Sequence, residues 1–214
     1  MKFTLRDPFS GLTHLLGAGL GIVALVFLVI QSVEKGTVWD VVSFSIFGAS
    51  IILLYSSSAL YHLSRFSEST QLILRRVDHT MIFLLIAGTY TPFCLGPLRG
   101  TKGFIFFGFV WLVTVIGILF KIFWIHAPRW LSTALYLGMG WLAVVVLPPL
   151  SRIVSPESLH WLIAGGLFYT VGAVIYALKW PDPFPEVFGF HEIWHLFVLA
   201  GSTSHVISVY SIFK

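Results

Sequence analysis

The sequence predicts an all-α, polytopic membrane protein, a seven-transmembrane-helix bundle. Composition is the first reason: of 214 residues 57% are hydrophobic and 10% charged, with mean hydropathy +0.91. A soluble domain carries about 25% charged residues, so this chain lacks the charge to clothe a water-facing surface. The second reason is the recurrence of apolar runs long enough to cross a hydrocarbon core of roughly 30 Å. The third is the supply of eight Trp and seven Tyr, the residues that populate membrane interfaces.

The spans run approximately Leu12–Gln31, Val41–Tyr61, His79–Leu98, Phe104–Phe123, Leu131–Leu150, Leu159–Leu178 and Trp194–Phe213. The first is read as a retained helix and not a signal peptide, because its apolar run is long and no small-x-small cleavage site follows. The breaks are short and carry turn or charged residues: Glu34-Lys35-Gly36, Ser64 to Arg76, Arg99 to Lys102, His126 to Arg129, Ser151 to Ser158 and Lys179 to Gly189. None is long enough for a second domain, so residues 1–214 read as one. Pro92, Pro148 and Pro149 fall inside or at the ends of spans, where neighbouring helices absorb the lost hydrogen bonds. The odd span count and the lack of an internal repeat argue against a duplicated transporter. Cys94 stands alone, which excludes an internal disulfide and a Cys-Cys metal motif.

Charge sets the orientation. Seven spans put Lys2, Arg6, Arg65, Arg75, Arg76, Lys121, Arg129 and Lys179 on one side, and Lys35, Arg99, Lys102, Arg152 and Lys214 on the other. Eight against five places the N-terminus in the cytoplasm and the C-terminus outside. The net charge of +4 comes from cations scattered between apolar runs, which suits a bilayer and not nucleic acid.

The same parity sorts the histidines by depth. His191 and His195, four residues apart, share one helix face and can hold one transition-metal ion, most often zinc. His62 ends span two and Asp78-His79 opens span three on the same edge; His14 and His126 lie there too. Ser58 shares a helix face with His62. Ionisable groups within spans are costly, face the bundle interior and mark function. Three imidazoles with an open position match a catalytic metal, and a carboxylate such as Asp78 suits a proton acceptor for water. The surrounding groups are read more plainly. His14, His79 and His126 are interfacial, Glu192 is solvated, His205 belongs to a buried polar network, and Asp78 near a helix start has a capping alternative.

Ser58-x-x-x-His62, Asp78 in Arg76-Val77-Asp78-His79, His191-Glu192-Ile193-Trp194-His195, Gly88 to Pro92 and the Gly201 to His205 ending together resemble the haemolysin III family. These are bacterial members of the progestin and adipoQ receptor (PAQR) superfamily, which includes the adiponectin receptors. The resemblance covers essentially the whole chain. It implies a multi-pass plasma-membrane protein with a cytoplasmic-side zinc held by His62, His191 and His195. It also implies a zinc-bound water near Asp78, with Ser58 close by, and ceramidase-like hydrolysis of a lipid amide or ester. Membrane lipids are the implied partners. Receptor signalling is not carried over, since the chain lacks the receptors' long N-terminal region. A lytic, pore-forming activity and a non-catalytic lipid-homeostasis role with a structural zinc are the alternatives; against the first, no charged stripe lines a wide pore.

Overall fold

A computed structural model describes residues 5–185 and 187–214; Lys2, counted in the charge asymmetry, lies outside them. The described chain is all-helical: α1 Pro8–Lys35, α2 Val38–Leu63, α3 Glu68–Leu95, α4 Thr101–Phe123, α5 Arg129–Trp141, α6 Ala143–Leu150, α7 Pro156–Leu178, α8 Phe190–Tyr210, and a closing 3₁₀ turn Ser211–Phe213. Six of these rods, with α5 and α6 taken as one, are long and apolar enough to cross a membrane. The protein is therefore a polytopic membrane protein. α3 has the length but is diluted by Asp78, His79 and its buried threonines.

The helices close into a ring. α1 packs on α2, α2 on α3, α3 on α4, α5 on α7, α7 on α8, and α8 returns to α1. Small residues allow the close approaches, the usual device of helix pairs in lipid. A Cβ at Gly17 would sit 2.7 Å from Leu199 and 3.0 Å from the Tyr55 ring, so α1, α2 and α8 meet at that glycine. Outward faces carry the large exposed apolar side chains, Leu16, Leu20 and Phe27 on α1 and Ile105, Leu112 and Ile116 on α4 among them.

Two departures from the sequence reading matter for the site. α3 starts at Glu68, about three turns before the predicted His79. The charges of the Ser64 to Arg76 stretch suggest a break, but Ser67 caps a helix there by accepting from the Thr70 N–H. Asp78 is thus deep within α3 and does not cap it. The fifth span is broken at Leu142. Pro148 and Pro149 lack N–H groups for the preceding turn. The Tyr90 hydroxyl, from α3, lies 2.9 Å from the Met139 carbonyl and 2.6 Å from that of Gly140, groups beside the break.

Inside the ring a polar seam runs along α8. Tyr55 donates to Ser202 Oγ at 2.7 Å, and the Tyr169 hydroxyl pairs with the same oxygen at 2.8 Å. His205 Nε2 donates to the Leu162 carbonyl at 3.2 Å, the buried polar role expected for it.

Candidate metal centre

The end of α2 and the first two turns of α8 meet at one level. One ring nitrogen from each of His62, His191 and His195 lies within 4.8 Å of the others. His62 Nε2 and His191 Nε2 are 3.5 Å apart. Ring centroids are 5.1 Å apart for His62–His191, 4.9 Å for His62–His195 and 4.6 Å for His191–His195.

The start of α8 is fixed by Glu192, whose carboxylate accepts from the Gly189 N–H at 2.9 Å and from the Ser10 hydroxyl at 2.8 Å. Glu192 is therefore half-buried and bonded between α8 and α1, and not simply solvated. This bond ties the helix bearing His191 and His195 to the start of the chain.

His62 is held from outside the cluster by Asp7, which precedes α1. Its Nδ1–H donates to Asp7 Oδ2 at 3.1 Å. That hydrogen bond holds the Asp7 carboxyl below the usual carboxylate range. A carboxylate only accepts, so Nδ1 carries the proton and Nε2 presents its lone pair inward, towards His191. A carboxylate behind a histidine is the common support of a metal-ligating imidazole.

His195 is fully buried, and neither of its ring nitrogens meets a hydrogen-bond partner in good geometry among the described residues. His14 is likewise buried and unpartnered, and its ring stacks on His195 with centroids 3.7 Å apart and planes 17° from parallel. This corrects the interfacial reading of His14. Buried polar groups are almost always paired, so an imidazole with two orphaned nitrogens beside two inward-facing ones is what a cation site requires. Two zinc–nitrogen bonds of about 2.0–2.1 Å at a tetrahedral angle set the nitrogens about 3.4 Å apart, close to the His62–His191 spacing. The donor set fits a metal ion.

Ser58 and Asp78 are buried and line a cavity of about 400 Å³. His14, His79 and Tyr136 line it too, and its wall is otherwise largely apolar. Asp78 Oδ2 accepts from His79 Nδ1 at 3.1 Å, and Tyr136 donates to the His79 carbonyl at 3.1 Å. His79 thus holds Asp78 and Tyr136 holds His79, which gives His79 an inner role and not an anchoring one. His126 is exposed.

Asp7 and His14 had no signal in the sequence strong enough to single them out. Asp7 carries only the Asp-Pro start of a helix, and His14 only its depth.

These features define a class: a multi-pass helical membrane protein with three imidazoles close enough to hold one metal ion and, next to them, a largely apolar cavity lined by Ser58 and Asp78. The family model described as Haemolysin-III related matches residues 4–206. The chain is 46% identical over 203 residues to the Hemolysin-3 homolog of Bacillus subtilis (strain 168), covering 94% of this chain and 92% of that protein. It is 40% identical to the Hemolysin-3 of Bacillus cereus, covering 94% and 89%. It is 30% identical to the Adiponectin receptor protein of Drosophila melanogaster, covering 90% of this chain and 47% of the receptor. No solved structure matches. The chain belongs to the haemolysin III family, with the adiponectin receptors as distant relatives.

Proposed function

We propose that this protein is a zinc-dependent intramembrane hydrolase acting on a lipid amide or ester. In this reading it spans the plasma membrane seven times as a single domain, with its N-terminus in the cytoplasm, its C-terminus outside and its metal near the cytoplasmic face. His62, His191 and His195 are the ligands. The observation that carries the reading is their convergence, one ring nitrogen from each within 4.8 Å of the others, with both nitrogens of the buried His195 lacking a hydrogen-bond partner among the described residues, and with Ser58 and Asp78 lining a cavity that also reaches His14, which stacks on His195.

Zinc held there supplies Lewis acidity, polarising a carbonyl and acidifying water. The protein's own residues do the rest. Asp7 keeps the His62 lone pair turned inward. The apolar wall seats the acyl chain and excludes bulk water. Asp78 takes the proton from water as its oxygen bonds to the acyl carbon, then returns it to the nitrogen or oxygen of the breaking acyl bond. The products are a fatty acid and an amine or alcohol. Ser58 supplies a hydroxyl to orient the carbonyl or the water.

The relatives' names favour a second reading, membrane lysis. The test separates them. Purified protein is incubated with mixed membrane lipids, zinc-loaded or chelated, and the products are read by mass spectrometry alongside dye leakage from liposomes. Fatty acid released only with zinc supports hydrolysis. Leakage without any lipid conversion overturns it in favour of lysis, and neither signal leaves zinc as a staple of helix ends.

A further inference from the structure

Three cations line the cavity that His14, stacked on His195, and Tyr176, next to His191, also line: Arg75 of α3, Lys121 of α4 and Arg129 of α5. Among the described residues the only carboxylate on that lining is Asp78, which is already engaged by His79. None of the three cations makes an ion pair with another described residue.

Lys121 is the most telling. It is 2% exposed, so it does not reach out to the membrane surface as interfacial lysines do. Its ammonium has one hydrogen-bond partner among the described residues, the Ser132 hydroxyl. A buried charge without a counter-charge is strongly unfavourable, and a fold keeps one where a ligand brings the opposite sign. Arg129 lies over the Tyr176 ring at 4.8 Å, and that ring lies 5.8 Å from the His191 ring. One aromatic ring therefore separates a guanidinium from the histidine cluster. Arg75 precedes Asp78 by three residues on the same face of α3. Arginines and a lysine on one wall are the groups that recognise phosphate. The rest of the wall is largely apolar, with Ile82, Ile86, Leu137, Val144, Leu147 and Leu167 on it.

We infer that this cavity binds an anionic glycerophospholipid, its phosphate held by Lys121, Arg129 and Arg75 and an acyl chain laid along the apolar wall. In such a lipid the acyl ester lies a few bonds from the phosphate, so phosphate capture brings that ester towards the histidine cluster. The inference names the substrate class for the hydrolase reading and rests on it for turnover; binding stands apart.

The test uses zinc-loaded protein in uncharged detergent, titrated with dioctanoyl phosphatidylglycerol, dioctanoylglycerol, octanoate or inorganic phosphate, and read by thermal shift and native mass spectrometry. The phosphatidylglycerol should bind at least about tenfold more tightly than each of the others. Lys121→Met and, at the half-buried rim, Arg129→Gln should each weaken it about tenfold, with zinc content unchanged. Equal affinity for dioctanoylglycerol overturns the inference, as does a preference that survives both substitutions. Octanoate or phosphate alone binding as tightly also overturns it. Octanoate release is followed in the same samples. Selective binding without release removes the hydrolase reading and leaves this one; release from dioctanoylglycerol without selectivity does the reverse.

Discussion

Asp7 holds His62 twice: its backbone N–H donates to the His62 carbonyl at 2.9 Å, and its carboxylate accepts from His62 Nδ1 at 3.1 Å. The chain entering α1 therefore fixes both the end of α2 and the tautomer of its last histidine. Replacing Asp7 with Asn leaves the shape but removes the obligate acceptor. Zinc affinity should fall about 10- to 100-fold with helicity unchanged, measured by competition against a chromophoric chelator.

Asp78 is 6% exposed, inside α3, and held by His79. In the proposed hydrolysis, Asp78→Asn keeps the volume and the three histidines and removes the proton acceptor. Lipid turnover should drop about 10²- to 10⁴-fold while zinc stays at the wild-type level. Loss of zinc in step with turnover would show that Asp78 only supports the fold.

The stack of His14 on His195 predicts two opposite results from one position. His14→Ala opens a buried hole between α1 and α8 and should cost about 2–4 kcal/mol. His14→Phe refills it without orphaned nitrogens and should hold stability near the wild type in a thermal melt. A role for the His14 imidazole in the reaction would appear as lost turnover in the Phe variant at unchanged zinc.

Tyr90 ties α3 to the broken fifth span through the Met139 and Gly140 carbonyls. Tyr90→Phe leaves those acceptors short of a donor and should cost about 1–3 kcal/mol, seen as a lower melting temperature and faster proteolysis near Leu142.

Much of this was legible beforehand, for identifiable reasons. Spacing placed His191 and His195 on one face, and the parity of apolar runs put His62 at the same level; the rings do meet. The start of α3 is not legible, because charge looks like a loop when the helix continues beyond its apolar stretch; the level of Asp78 is legible, but not that it lies inside the helix and does not cap it. The break at Leu142 was hidden inside an unbroken apolar run. Asp7, His14 and Glu192 were out of reach for a different reason: their partners come from the closure of α1 on α2 and α8, a packing relation that no local pattern encodes.

The central claim is that three imidazoles from α2 and α8 grip a single zinc ion. Zinc stoichiometry combined with X-ray absorption at the zinc edge tests it most directly, on wild type and on His62→Ala, His191→Ala and His195→Ala. The account predicts about one zinc per wild-type chain, with nitrogen neighbours at about 2.0–2.1 Å, and little zinc in each variant. Full zinc retention in all three variants, or a wild type that takes up none when zinc is supplied, would contradict it.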